Sequence, residues 1–286
     1  MSRGYDLPRF GSDGHFGDEC WEALQRFAKD QNIDWDPRVP AEVLTALDRP
    51  ATPPPAPRAT PSSRGTTGVG SVKVYDLREQ ADSPHKKSKT VAGRTVQRRA
   101  SSIDAITIHQ TAVKFGVKSY QISAAGGDRD MALARRAFKV ACHALAFHDG
   151  FISLAAPLRW YVYHANSLNR RSLGLEIDGN YAGLAGGRTA NGRPPTPLTD
   201  KVIEASRMAV KLLMEEGRKE GCPIKYIHAH RQSSRSRRGD PGEELWRKVV
   251  LEYAVPVLGL QTEPGKTWGN GKPIPKDWDP NGVGEY

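Results

Sequence analysis

The chain has 286 residues, which is long enough for one full-sized domain with its own core and a smaller module. Its formal net charge of +10 at pH 7 implies attraction to an anionic partner such as nucleic acid, a membrane surface or an acidic wall polymer. No apolar stretch is long enough to span a bilayer, and the first residues lack the apolar core of a secretory signal. The three scattered cysteines argue against a disulfide framework and favour reduced thiols, at Cys20, Cys142 and Cys222.

Two segments precede the main domain. Residues 1–47 contain the turn-like SDGHFG (12–17) and then a helical run, DECWEALQRFAKD (18–30), which predicts a small all-α module. Residues 48–72 are dense in Pro, Ser, Thr and Gly and hold almost no large apolar residue. This composition is typical of a linker that polyproline geometry partly stiffens.

Residues 73–262 are predicted to form one domain, because apolar runs alternate there with helical patterns. The helical patterns cover 128–142, 199–219 and 243–253, and Thr199 is a plausible N-cap for the second. We therefore predict an α/β fold with a mostly mixed central β-sheet flanked by helices. Residues 263–286 are rich in Gly and Pro and are predicted to be an irregular tail. The apolar runs are SVKVYDL, DAITIHQT, HALAFHDG, RWYVYHA and SLGLEIDG.

Candidate metal ligands lie at the ends of apolar segments. His230 and Asp240 bracket a short polar loop, and His109 closes an apolar strand. Catalytic zinc usually takes three protein ligands and one water, so these residues predict a metallohydrolase. Spacing alone leaves the ligand set open, because further imidazoles stand at His143, His148, His164 and His228.

A carboxylate lies on one face of a predicted strand in SLGLEIDG (172–179). Strand alternation points Leu173, Leu175 and Ile177 one way, and Glu176 with its neighbours of the same parity the other way. Glu176 can therefore face a cleft. The alternative is a solvated residue on an exposed sheet face.

Four ordered motifs resemble those of the zinc-dependent N-acetylmuramoyl-L-alanine amidases related to phage lysozyme-amidases and peptidoglycan recognition proteins. The resemblance implies the amidase fold, bound Zn²⁺, and hydrolysis of the amide bond between N-acetylmuramic acid and L-alanine in peptidoglycan. The motifs are ITIHQTA (106–112), CHALAFHDG (142–150), WYVYHANSLNRRSLGLEIDG (160–179) and YIHAHRQSSRSRRGDPG (226–242).

The resemblance also assigns roles to individual residues. It implies zinc ligands at His109, His230 and Asp240, with His228 only a neighbour, and a catalytic carboxylate at Glu176. Arg238 stands where the family usually has lysine, and because arginine keeps its proton, its role would be electrostatic. Cys142 replaces a tyrosine of many members, so Glu176 would carry more of the proton transfer. Implied substrate contacts are His164, Asn169 and His143.

The N-terminal segment 4–31 resembles a small helical peptidoglycan-binding domain. A wall-binding module on a flexible linker would raise the effective concentration of a wall hydrolase at its insoluble substrate. The two resemblances together predict a modular phage endolysin, monomeric and made in the host cytoplasm, that acts on the cell wall or periplasm after release. The implied cell-wall-binding residues are Asp13, Gly14, Phe16 and Gly17.

Two alternatives remain at this point. A peptidoglycan recognition protein binds wall fragments without cleaving them when its zinc ligands are incomplete. Nucleic-acid binding is suggested by the basic runs at 86–99 and 231–238, although such runs are more often solvated loops. We expect peptidoglycan as the partner, no specific nucleic acid, and at most transient contact with anionic membrane or wall polymers.

Overall fold

The computed structural model describes residues 67–69, 72–83 and 85–284. The predicted N-terminal module, with Asp13, Gly14, Phe16 and Gly17, lies outside the described residues, as does most of the predicted linker. The last residues of that linker region form strands. Apart from residues 91–93, the described residues belong to one compact unit.

A mixed sheet of seven strands forms the centre of the described part of the chain. Its order is β1-β2-β7-β6-β8-β5-β9, in which β1–β2 and β6–β7 are antiparallel pairs and the remaining neighbours are parallel. This confirms the predicted sheet. The strands are β1 (Thr67–Val69), β2 (Val72–Asp76), β5 (Ala105–Gln110), β6 (Ala144–Ala146), β7 (Phe151–Leu154), β8 (Ser172–Ile177) and β9 (Tyr226–Ala229), and a separate small sheet pairs β3 (Thr90–Val91) with β4 (Arg94–Thr95).

Each of the three predicted helical segments contains a helix, but not always of the type expected. Helix α3 (Asp200–Lys219) begins after Thr199, whose hydroxyl accepts a hydrogen bond from the Val202 amide, as the N-cap prediction requires. The segment predicted at 128–142 is a short helix α2 (Arg129–Ala134) that tightens into the 3-10 turn Arg135–Lys139. Helix α1 (Ser119–Ala124) has no counterpart among the predicted helices. The last predicted helix is α4 (Glu243–Leu245), continued as a π-helix over Trp246–Ala254.

The core lies between the sheet and helix α3. Leu173, Leu175 and Ile177 of β8 are fully buried in one cluster with Val202 and Leu213 of the helix. Alternation along β8 therefore leaves Glu176 on the opposite face, as predicted. None of the helices in the described ranges combines the length and apolar character needed to cross a membrane.

Two segments combine irregular backbone with buried side chains. The aromatic run RWYVYHA forms only isolated bridges, at Trp160 and Val162, although its residues favour strands. Residues 263–284 are irregular apart from the 3-10 turn Lys276–Trp278 and belong to the same compact unit as the sheet. Ile274 and Trp278 are buried in the main core cluster.

Candidate metal centre

Three predicted metal ligands meet at one edge of the sheet. His109 lies near the end of β5, and His230 opens the 3-10 turn His230–Gln232 that follows the neighbouring parallel strand β9. His109 Nδ1 lies 2.9 Å from His230 Nδ1, and His230 Nδ1 lies 3.1 Å from Asp240 Oδ2. All three side chains are buried, and their candidate ligand atoms lie within 4.8 Å of one another.

The hydrogen-bond partners of His109 fix which of its nitrogens can bind a cation. His164 Nε2 lies 3.2 Å from the Ser172 carbonyl oxygen, which can only accept, so this nitrogen carries the proton. In the neutral ring His164 Nδ1 must then accept from His109 Nε2, 3.1 Å away. His109 Nδ1 is left with a lone pair directed at His230 and Asp240. Two imidazoles and one carboxylate converging in this way form a donor set suited to zinc.

Burial keeps His109 and His164 neutral. It lowers the pKa of His109 well below the usual range, and the neighbouring His230 adds to the effect. It also lowers the pKa of His164 to about 3. Because neutral imidazole is the ligand form, the shift of His109 favours cation binding over protonation, while the shift of His164 keeps its Nδ1 free to accept from His109.

Backbone amides hold the Asp240 loop in place. The Gln110 backbone N–H donates to Asp240 Oδ1 at 2.9 Å, and the Gln110 side-chain amide donates to the Gly239 carbonyl at 3.0 Å. One carboxylate oxygen is therefore fixed by strand β5, while Oδ2 faces His230. The residue after His109 thus orients the third candidate ligand.

His164 lines the metal cleft, a cavity of about 270 Å³ that Glu176, His230, Arg237 and Asp240 also line. Its ring lies against Gly174, where a Cβ would be 2.6 Å from His164 Cγ. Any side chain at this glycine would displace the ring. The alternation of residues along the strand did not reveal that Gly174 makes room for the His164 ring.

Asn169 and His143 support His164, and neither lines the metal cleft. Asn169 Oδ1 accepts from the backbone amides of His164 and Ala165 at 2.9 and 2.6 Å. His143 is fully buried, and its Nδ1 accepts from the Gly174 amide at 2.9 Å. The predicted role of these two residues in contacting substrate therefore has no support from their positions, because their polar atoms are directed into the protein.

Glu176 lies opposite His109 in the register of β8 and β5 and faces the metal cleft. Its Oε2 is buried and has no hydrogen-bond partner within the described residues. Burial raises the pKa of Glu176 well above the usual range, the charge of Asp240 raises it further, and Arg237 acts in the opposite direction. An unpartnered carboxyl group beside three candidate metal ligands is positioned to exchange protons with a molecule in the cleft.

The structure places Arg237, and not Arg238, on the metal cleft. Arg238 lines the adjoining cavities together with Leu184 and Arg188. The motif aligns Arg238 with the family lysine, but the 3-10 turn Arg235–Arg237 determines which side chain reaches the ligands. The sequence run RSRR contains no feature that could separate neighbouring arginines. Tyr163 and Lys139, which also line the metal cleft, are absent from the predicted site.

His228 lies outside the ligand group. Its Nε2 is 3.0 Å from Glu263 Oε2, and its ring lies edge-on to Trp268 with centroids 4.5 Å apart. The hydrogen bond from His228 lowers the pKa of Glu263 to about 2. His228 therefore connects strand β9 to the C-terminal tail.

The fold and these residues define an α/β protein with a candidate metal centre at the edge of a mixed sheet. The family described as N-acetylmuramoyl-L-alanine amidase matches residues 99–243. This range is about half of the 286 residues and includes every residue of the metal cleft named above. The chain belongs to this family.

The chain is similar to several solved structures and covers most of the length of each. N-acetylmuramoyl-L-alanine amidase LysC from Clostridium intestinale URNW is 18% identical, with a TM-score of 0.37, over 62% of this chain and 96% of that one. The Ph2119 endolysin from Thermus scotoductus MAT2119 bacteriophage Ph2119 is 16% identical, with a TM-score of 0.36, over 61% and 97%. Drosophila PGRP-LB is 14% identical, with a TM-score of 0.39, over 66% and 96%. No protein with a curated description matches the chain.

Proposed function

We propose that this chain is a zinc-dependent amidase that hydrolyses the bond between the muramoyl lactyl group and L-alanine in peptidoglycan. The observation that carries the proposal is the buried group His109, His230 and Asp240, of which His230 and Asp240 line the same cleft as the unpartnered carboxyl of Glu176. Membership of the amidase family supports the choice of bond.

His109 Nδ1, His230 and Asp240 would hold the zinc ion, with His164 and Gln110 orienting two of these ligands. Bound zinc supplies Lewis acidity that polarises a carbonyl and brings the pKa of a water close to neutrality. The protein itself contributes the neutral imidazoles, the fixed carboxylate and a partly enclosed cleft.

Glu176 moves the protons of the reaction. Its carboxylate takes one proton from the attacking water as oxygen adds to the carbonyl carbon, and it returns that proton to the nitrogen as the C–N bond breaks. The products are a lactyl carboxylic acid, which then releases its proton to solvent, and a peptide with a free L-alanine amine. Arg237, on the same cleft, stabilises the negative charge that develops on oxygen, in the role that the motif implies for Arg238.

The proposal is tested by digesting purified peptidoglycan sacculi and identifying the products by mass spectrometry, with and without a chelator. Wild-type protein is expected to release new L-alanine amino termini only when metal is present. Glu176→Gln should keep stoichiometric zinc and lose about 100-fold or more of the turnover. Asp240→Ala should lose zinc. Glu244→Gln, a change at an exposed carboxylate outside the metal cleft, is the matched control and should behave as wild type.

Two outcomes contradict this function. Release of cleaved glycan linkages in place of peptide termini would assign a different bond. Tight binding to sacculi with no new termini at any zinc concentration would make the chain a recognition protein.

The setting that we propose is phage-mediated lysis of the host, with residues 1–47 binding the cell wall. The motifs shared with phage lysozyme-amidases and the peptidoglycan-binding resemblance of residues 4–31 support it. Co-expression in a bacterium with a membrane pore-forming protein should lyse the cells, and the Glu176→Gln variant should not. Intact cells with the active form would contradict this role.

A further inference from the structure

A buried arginine lies beside the segment that carries His164. Arg98 belongs to the basic run 86–99 that suggested nucleic-acid binding, yet it is only 5% exposed, whereas the next residue, Arg99, is exposed. It also precedes the range 99–243 that the amidase family matches. Burial lowers the pKa of Arg98 to about 10, so its guanidinium is charged at neutral pH. Burying a charge is costly unless its donors find partners, so these partners indicate what Arg98 does.

Backbone carbonyls hold the two terminal nitrogens of Arg98. Its Nη1 donates to the Ser172 carbonyl at 2.6 Å and to the Asn169 carbonyl at 2.8 Å, and its Nη2 donates to the Leu158 carbonyl at 2.6 Å. The Nε is buried without a hydrogen-bond partner. In the described part of the chain, no Asp or Glu acts on the charge of Arg98. The guanidinium therefore connects the first residue of β8 to the 3-10 turn Asn166–Arg170 that precedes it.

The Ser172 carbonyl accepts a hydrogen bond from Arg98 and a second one from His164 Nε2, at 3.2 Å. A carbonyl oxygen has two lone pairs, so both bonds can form at once. The bond from Arg98 is the shorter, and its donor is charged, which makes it the stronger of the two. Arg98 therefore fixes the direction of the acceptor that selects the tautomer of His164. Because His164 Nδ1 accepts from His109 Nε2, the tautomer of His109 depends on the same carbonyl.

Arg98 also reaches the backbone of His164 through Asn169. The Asn169 carbonyl accepts from Arg98, and Asn169 Oδ1 accepts from the His164 and Ala165 amides at 2.9 and 2.6 Å. One nitrogen of Arg98 thus holds the residue that fixes the His164 backbone and the residue that orients the His164 ring.

A third support of this region, His143, contacts Arg98 without accepting from it. Arg98 Nη2 lies 3.0 Å from His143 Nε2. His143 Nδ1 accepts from the Gly174 amide, so in the neutral ring the proton is on Nε2, which faces the Trp160 carbonyl at 3.1 Å. The contact with Arg98 therefore joins two donors and contributes no hydrogen bond. The carbonyls, and not this ring, hold the guanidinium in place.

We propose that Arg98 is a positioning residue for the candidate metal centre. By holding the Asn169 and Ser172 carbonyls, it fixes the ring and the tautomer of His164, and through His164 it keeps the lone pair of His109 Nδ1 directed at the cation position. The inference rests on the proposed function for the zinc ion that this position would hold.

The first test measures the tautomers in the metal-free protein. Long-range proton–nitrogen NMR of isotope-labelled histidine side chains distinguishes a protonated ring nitrogen from an unprotonated one. In the wild-type protein, His164 and His109 should each carry their proton on Nε2 alone. Arg98→Met keeps an unbranched side chain of similar reach and removes all its donors, so both rings should then show a mixture of tautomers.

The second test measures the zinc dissociation constant by competition with an indicator dye. Arg98→Met should raise this constant by about tenfold or more, as expected when groups that orient metal ligands are lost. Arg98→Lys should change both readouts in the same direction but less, because the lysine nitrogen ends one bond short of the position of Nη1 and is too far from the Ser172 carbonyl. If Arg98→Met does not fold, Arg98→Lys decides the test.

Two control variants separate positioning from charge and from stability. Arg99→Met removes the same charge at the exposed neighbour. Leu213→Ala opens a cavity in the core between the sheet and helix α3 and lowers the free energy of unfolding. Both controls should keep the wild-type tautomers and the wild-type zinc dissociation constant.

Three outcomes overturn the inference. Wild-type tautomers and zinc affinity in folded Arg98→Met, or in Arg98→Lys where the first variant does not fold, would show that Arg98 serves the fold alone. Mixed tautomers in the wild-type protein would show that the Ser172 carbonyl does not select between them. An equal change in Leu213→Ala would show that any loss of stability disturbs the histidines.

The tautomer measurement needs neither zinc nor catalysis, which separates this inference from the amidase proposal. If the wild-type protein cleaves no peptidoglycan but the tautomers and zinc affinity change in Arg98→Met as expected, the positioning role stands while the amidase proposal fails. If the wild-type protein cleaves the amide and folded Arg98→Met keeps both readouts, the amidase proposal stands while the positioning role fails.

Discussion

The position of one proton on each imidazole ring determines what His164 and His109 can do at the candidate metal centre. The Ser172 carbonyl fixes the tautomer of His164, and His164 fixes the tautomer of His109. Gly174 leaves the space that this arrangement needs. A carbonyl oxygen on strand β8 thus determines which nitrogen of His109 faces the cation position.

The charge of Arg237 is predicted to set the lower pH limit of activity. Its guanidinium opposes the rise that burial imposes on the pKa of Glu176, so Arg237→Gln should raise that pKa further. Because Glu176 must be ionised to act as a base, the acidic limb of the pH profile of kcat/KM should move to higher pH. Steady-state kinetics across the pH range measures this shift. Arg237→Lys keeps the charge and should stay close to wild type, whereas a profile that is unchanged or moved to lower pH in Arg237→Gln would exclude the electrostatic role.

The sequence predicted which candidate ligand residues lie close together better than it predicted where their neighbours lie. His109, His230 and Asp240 lie at ends of strands or loops, where an ordered motif is enough to assign them, and the structure brings them together. Arg237 and Arg238 differ only by the direction that a 3-10 turn gives to each side chain. The position of Asn169 depends on a hydrogen bond that its side chain accepts from the His164 backbone amide. A single sequence does not show such a contact.

At the level of elements, the C-terminal tail holds the turn that carries His230. The Trp268 amide donates to the Gln232 carbonyl and the Lys272 amide to the Arg231 carbonyl, both at 2.8 Å. The Gln232 side-chain amide donates back to the Glu263 carbonyl at 2.7 Å. The turn His230–Gln232 thus has its polar groups satisfied by an irregular segment more than 30 residues further along the chain.

We predict that adding a methyl group at Gly271, where the C-terminal tail contacts the turn His230–Gln232, weakens metal binding. A Cβ at Gly271 would overlap the Gln232 carbonyl oxygen, so Gly271→Ala must displace the tail or the turn. The zinc dissociation constant should rise by about tenfold or more, as expected when groups that support metal ligands are disturbed. Competition with a chromophoric chelator measures it.

Gly265→Ala is the matched control, because nothing lies within 4 Å of a Cβ at that position in the same tail. It should bind zinc as wild type does. If Gly271→Ala loses stability to denaturant but keeps wild-type zinc affinity, the tail stabilises the fold and does not position His230.

Composition explains why the sequence described this tail only in part. Gly and Pro predict irregular backbone, but an irregular segment can still pack against the core when its amides find partners, as around Trp268. Similarly, the strand-favouring residues around Trp160 form only single bridges, because pairing depends on what lies alongside. Helix α3 was predicted almost to the residue because its cap and apolar stripe are local signals.

For the whole molecule, the number of buried neutral histidines sets how stability responds to acid. Among the described residues, the pKa values of six histidines are lowered, mainly by burial, at His85, His109, His143, His148, His164 and His228. In the unfolded chain the pKa of each of these groups returns to the ordinary value of 6.5. As the pH falls, the unfolded chain therefore binds protons that the folded protein does not bind. Two buried carboxyl groups oppose this, since burial raises the pKa of Asp178 to about 6 and also raises that of Glu176.

We predict that the metal-free protein loses stability as the pH falls from 7 to 5.5. The lowered histidine pKa values contribute stability that is complete above pH 6.5 and declines below it, while the raised carboxyl pKa values act in the opposite direction. Six histidines against two carboxyl groups leave a net decrease of at least about 2 kcal/mol. Denaturant unfolding in the presence of a chelator, followed by tryptophan fluorescence, measures the free energy of unfolding. Between pH 7.5 and 8.5 the same histidines are neutral in both states, so their contribution to the free energy of unfolding is constant there and serves as the internal reference; any pH dependence in that range comes from other groups, such as Glu176 with its raised pKa. A free energy of unfolding that stays flat or rises between pH 7 and 5.5 would mean that the folded protein accommodates charged imidazoles. The assignment of a lone pair to His109 Nδ1 would then be wrong.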